Sequence, residues 1–128
     1  MSPFSRVLKL VLLVVLINSC SNRDEAPPVL PENINQYVTA FTGGLISSES
    51  SIRILFTQDA NGVDVNNEDT RALFSFDSKL KGKAIWRDSR TLEFIPDEPI
   101  KNGLLINGEL DLTQLFDDLP EDLEELPL

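Results

Sequence analysis

Between Phe74 and Ile100, apolar and polar positions alternate as they do in strands. Ala72, Phe74 and Phe76 form one apolar face, with Leu73 and Ser75 on the other. Lys81-Gly82-Lys83 reads as a turn or bulge leading into Ala84-Ile85-Trp86. Asp88-Ser89-Arg90 reads as a turn, and Thr91–Ile95 as the next strand, with Leu92 and Phe94 on one face. Pro96 ends that strand because proline cannot donate to a ladder. Further strands are predicted at Tyr37–Thr42, Ser51–Thr57 and Leu104–Leu112. In Ser51–Thr57, Ile52, Ile54 and Phe56 share a face opposite Arg53 and Thr57. In Tyr37–Thr42, either Tyr37, Thr39 and Phe41 or Val38 and Ala40 face inward. In Leu104–Leu112, Leu104, Ile106, Leu110 and Leu112 share one parity, and Gly108 is a candidate bulge. Strands this short, spaced this closely, predict an all-β domain, an antiparallel β-sandwich of six to seven strands. The body, residues 34–116, holds one core and no internal repeat.

The central block resembles the immunoglobulin-like or macroglobulin-like module at the N-terminus of bacterial alpha-2-macroglobulin lipoproteins. The residues that carry the resemblance are Phe74 and Phe76, Lys81-Gly82, Trp86 with Asp88, Thr91 to Phe94, Pro96 to Ile100, and Gly103. Upstream, Ile46-Ser47 and Ser51 to Thr57 also fit, so the likeness runs from about Asn35 to Phe116. It implies an Ig-like sandwich and kinship with periplasmic protease traps. Those inhibitors also need a bait region and usually a thioester Cys-Gln pair far downstream. Neither lies within these residues, and the one cysteine is near the start. The resemblance therefore implies a terminal fragment or a reduced relative, without inhibition of its own.

Residues 1–19 read as a signal-peptide helix. Arg6 and Lys9 are basic, and Leu10 to Ile17 is an unbroken apolar run. That run is far shorter than the ~20 residues of a spanning helix. Ile17-Asn18-Ser19-Cys20 resembles a bacterial lipobox, in which the Cys20 sulfur is joined to diacylglycerol. Ser21 in the next position resembles lipoproteins sent to the outer membrane, facing the periplasm or the cell surface. Asp24-Glu25 resembles a surface-export tag. Residues 20–33 form a Pro-rich, charged tether, with Pro27, Pro28 and Pro31 favouring an extended chain.

The chain carries a formal charge of −10. Losing residues 1–19 removes Arg6 and Lys9 and no acid, which takes the charge to −12. Such a chain repels nucleic acid and anionic headgroups. Membrane attachment is thus expected from the lipid on Cys20, with several acyl chains because one alone is marginal.

The chain has no histidine, which removes histidine-based catalysis and metal ligation. The loop Gln58 to Thr70 is acidic enough to suggest calcium. Asp59 and Asn61 fit the first two ligand positions of an EF-hand loop, but Val63, Asp64 and Thr70 do not fit the later ones. A solvated loop is expected instead. Asp97-Glu98 sits in a turn, whereas a glycosidase pair needs acids from two elements meeting in a cleft. Trp86 suits a core position better than a sugar platform. Lys79, Lys81 and Lys83 suit a solvated hairpin. No cofactor, metal, catalytic residue or small-molecule substrate is implied, and the chain is not expected to be an enzyme.

Residues 117–128 read as an acidic tail in which Pro120-Glu121-Asp122-Leu123 resembles a helix start. The sandwich is then expected to lack its last strand and to expose an edge to a protein partner. Two other readings compete: a small surface module that binds glycan or an envelope protein, and a truncated fragment without function.

Overall fold

The computed structural model describes residues 27–128. The signal segment, Cys20 and the first half of the tether lie outside the described residues. The strands are β1 (Val38–Phe41), β2 (Ile52–Phe56), β3 (Glu68–Asp69), β4 (Phe74–Phe76), β5 (Gly82–Asp88), β6 (Thr91–Pro96), β7 (Gly108–Asp111) and β8 (Glu125–Pro127). Two single 3-10 turns, Ile34–Gln36 and Glu121–Leu123, complete the elements. A five-stranded sheet runs β1-β2-β6-β5-β3, and a three-stranded sheet runs β4-β7-β8. Every strand pairing is antiparallel. The described residues form the all-β antiparallel sandwich that the alternation predicts.

Alternation builds the core. Ile52, Ile54 and Phe56 of β2 are buried while Arg53 and Leu55 are exposed. Ala84, Trp86, Leu92 and Phe94 extend this layer, and Leu110 and Leu126 face it from the small sheet. Burying each large side chain contributes about 1.5–3 kcal/mol. Aromatic rings close the two ends of this core. At one end Phe56 lies 5.7 Å from Trp86 and 5.4 Å from Phe116, and Phe116 lies 5.3 Å from Tyr37. At the other, Phe94 lies 5.1 Å from Phe74 and 5.0 Å from Phe76.

Several elements differ from the pattern reading. In β1, Val38 pairs with Phe56 but Ala40 pairs with Leu55, so the strand is bulged between them. The bulge resolves the two-faced pattern: Val38 is buried and Phe41 half-buried, three positions apart rather than two. Ala72 is exposed and Leu73 buried, the reverse of simple alternation with Phe74. Leu73 N–H donates to the Arg71 carbonyl, and this tight turn delays the strand until Phe74. The strand predicted from Leu104 begins only at Gly108. A turn closes from Leu104 N–H to the Lys101 carbonyl, with Gly103 at a φ of 74°. Leu104 and Leu105 are exposed in that loop. Gly108 sits in regular register opposite Phe76 and is no bulge. A β-carbon there would come within 2.5 Å of the Phe76 ring, so the missing side chain is the seat of that ring.

The largest correction concerns the final acidic segment. It is packed, and it supplies a last strand. Pro120 precedes a 3-10 turn rather than a lasting helix. Leu123 and Leu126 are fully buried, and β8 pairs with β7 from Glu109–Pro127 to Asp111–Glu125. The edge expected to be bare is therefore filled.

Candidate functional site

What this domain offers to other molecules is set first by its sheet ends. Four strands stand at edges: β1 and β3 on the large sheet, β4 and β8 on the small one. A bare edge presents unpaired N–H and C=O groups to any other extended chain. β1 is twisted by its bulge. β3 is two acidic residues long. On β8, the N–H groups of Leu128 and Gly108 donate to each other's carbonyls at 2.7 and 3.1 Å, and Leu112 N–H donates to the Glu124 carbonyl. Strand alternation then turns the backbone of Glu125 and Pro127 outward. A charge and a residue without an N–H guard that edge.

β4 has no such guard. Asp111 N–H donates to the Leu73 carbonyl, and Asp77 N–H donates to the Asn107 carbonyl. Leu73, Ser75 and Asp77 therefore turn toward β7, and the N–H and C=O groups of Phe74 and Phe76 point off the free edge. Beside them opens a cleft of about 540 Å³, lined by Phe74, Phe76, Leu80, Gly82, Ala84 and Phe94. The cleft exists because β3 covers β5 only at Ala84 and Ile85, leaving Gly82 and Lys83 uncovered. Its rim is close to neutral. Arg71 pairs with Asp69, Lys83 lies 3.9 Å from Glu68, and Lys81 and Asp97 share the remaining wall. The F-x-F alternation identifies β4 as a strand. Nothing local to it reveals that it stands at an edge, because that follows from where β5 and β7 lie.

A second surface lies where the loops 42–51 and 97–107 meet, joined by Ile100 N–H donating to the Ser48 carbonyl. Leu45, Ile46, Leu104 and Leu105 are exposed there. Lys79, Lys81 and Lys101 stand nearby, along with Asp97, Glu98 and the unpartnered buried hydroxyl of Ser78. β1 runs from the turn at Ile34–Gln36 to the loop that carries Leu45 and Ile46, so that turn and these exposed residues lie beyond its two ends.

Two charge clusters hold the large sheet and its loops. Glu93, on the outer face of β6, is only 6% exposed. It accepts hydrogen bonds from Ser51, Arg87 and Arg53, and these hold its carboxyl below the usual range against the opposing effect of burial. Asp69 is the second. Burial works to raise its carboxyl, but donors from the Arg71 guanidinium and the Trp86 indole outweigh that and hold it at about 2. The Trp86 Nε1–H···Oδ2 distance is 2.8 Å. Arg71 also donates to the carbonyls of Gln114, Asn61 and Gly62, tying β3, the polar loop and the chain after β7 together.

The residues considered from sequence are scattered. Trp86 is fully buried, so it offers no platform to a sugar. Asp59 binds Ser89 and Arg90, while the Asn61 amide donates to Asp117, so these two do not converge on one point. Among the described residues no group of three or more acids could hold a metal ion. The loop that carries Asp59 and Asn61 is exposed along most of its length, as expected, and is also pinned: Asn61 N–H donates to the Leu115 carbonyl and Asn66 N–H to the Trp86 carbonyl. Asp97 and Glu98 are exposed in their turn, and Lys79, Lys81 and Lys83 are exposed near one end of the cleft. Compared with known proteins, the chain matches no family model, no curated protein and no solved structure.

Proposed function

We propose that this protein is a lipid-anchored module of the bacterial envelope that works by binding another protein rather than by catalysis. Cys20 carries the acyl groups, residues 20–33 are the tether, and the sandwich is the part held off the outer membrane. The observation that carries this reading is the order of parts along the chain: a basic and apolar leader, a single cysteine, a Pro-rich stretch, then a sandwich. The tether's continuation supports it, since Pro27 to Leu30 lie exposed before the first turn at Ile34. The kinship with the N-terminal module of bacterial alpha-2-macroglobulins belongs to the same proposal. It gives the domain a supporting role in an envelope assembly and assigns it no protease trapping of its own.

The test is metabolic labelling with an alkyne palmitate analogue in a bacterial host, followed by membrane flotation. The native chain is expected to take up label and float with outer-membrane vesicles. Cys20→Ser is expected to lose both. Label and flotation that survive Cys20→Ser, or a native chain that is neither labelled nor membrane-bound, would refute the anchor.

A further inference from the structure

We infer that the free edge of β4 is a strand-receiving site. It takes an extended segment of another envelope protein, with uncharged aliphatic side chains at alternate positions. This deepens the reading of the chain as an interaction module and rests on it. Three observations converge on the site. The first is that β4, though only three residues long, lacks the bulge of β1, the acids of β3 and the Glu125 and Pro127 of β8. Next, the N–H and C=O groups of Phe74 and Phe76 point outward, at the spacing that an added strand matches. Finally, these groups border a cleft of about 540 Å³ walled by Phe74, Phe76, Leu80 and Phe94, with a rim whose charges nearly cancel.

These features also fix the chemistry of the occupant. Phe74 and Phe76 face inward and bond outward. In an antiparallel addition the residues opposite them have their side chains on the same, inner face. The residues that bond β4 are therefore those whose side chains enter the cleft. Charged side chains meet rim charges of both signs that nearly cancel, whereas valine or leucine meets the rings of Phe74, Phe76 and Phe94. A second copy of this chain is a poor occupant, because each copy carries a formal charge of −10 or more and the two repel.

The test uses the full lipoprotein in detergent micelles, labelled with nitrogen-15. The probe is the peptide acetyl-Ser-Val-Ser-Val-Ser-Val-amide. Amide exchange at Phe74 and Phe76 is expected to slow about tenfold or more with the peptide, while Ser75, already turned toward β7, changes little. N-methylation of the valines is expected to abolish the effect, and N-methylation of the serines to preserve it. Unchanged exchange at Phe74 and Phe76 at millimolar peptide would overturn the inference, as would slowing that survives valine N-methylation. Either negative result leaves the Cys20 anchor standing, since labelling and flotation read that separately.

Discussion

At the scale of single residues, the charged groups that matter most are those the alternation assigns to solvent. Asp69 falls in a polar stretch of the sequence but stands on β3, and its role depends on Trp86, seventeen positions away, whose indole N–H needs an acceptor inside the fold. Trp86 itself is legible as core from its size; its partner is not. Glu93 occupies an outward position of β6 and would be solvated on an isolated strand. It is buried because Arg53 on β2 and Arg87 on β5 cover it from both sides. Asp69 gives a pH signature. Its carboxyl is held at about 2, below the ordinary carboxylate value, so its stabilisation is present above the ordinary value and is lost as pH falls toward 2. The depression corresponds to about 2 kcal/mol. Asp69→Asn is expected to lower stability at pH 7 by about that amount and to flatten the stability profile between about pH 4 and 2, read by urea unfolding followed through Trp86 fluorescence.

At the scale of elements, the strands with strict alternation were legible and the ends of the sheets were not. β2 and the centres of β5 and β6 lie where period-two spacing puts them, but β5 starts at Gly82, inside the stretch read as a turn, and Pro96, read as ending its strand, pairs with Gly82 as part of β6. β1 carried two conflicting faces because a bulge switches parity midway. β8 was hidden for a different reason. Its buried Leu126 and the Leu123 of the turn before it are three apart, set among six acids, and preceded by a proline that resembles a helix start. A 3-10 turn followed by three extended residues satisfies that spacing with neither a helix nor an alternating strand. β8 then completes the cover over Leu110 and Leu112. Leu126→Ala is expected to cost about 2–5 kcal/mol in chemical unfolding, the range of a buried leucine truncation, where a solvated tail would give nearly zero.

At the scale of the whole molecule, the described sandwich carries exposed Leu45, Leu104 and Leu105 at one end and leaves the edge of β4 open along one flank. The fold class was readable from spacing alone. The open flank was not, because it arises where β3 stops short and the chain crosses to β4, a relation between the two sheets rather than a property of either segment. The described sandwich is completed by residues 125–127 and left bare along β4. Amide hydrogen exchange on the full chain without any partner tests both halves at once. The predicted map has slow exchange at Ser75, Leu110, Leu126 and Leu128, with fast exchange at Phe74 and Phe76 between slower neighbours. Fast exchange throughout residues 124–128, or Phe74 and Phe76 as slow as Ser75, would contradict it.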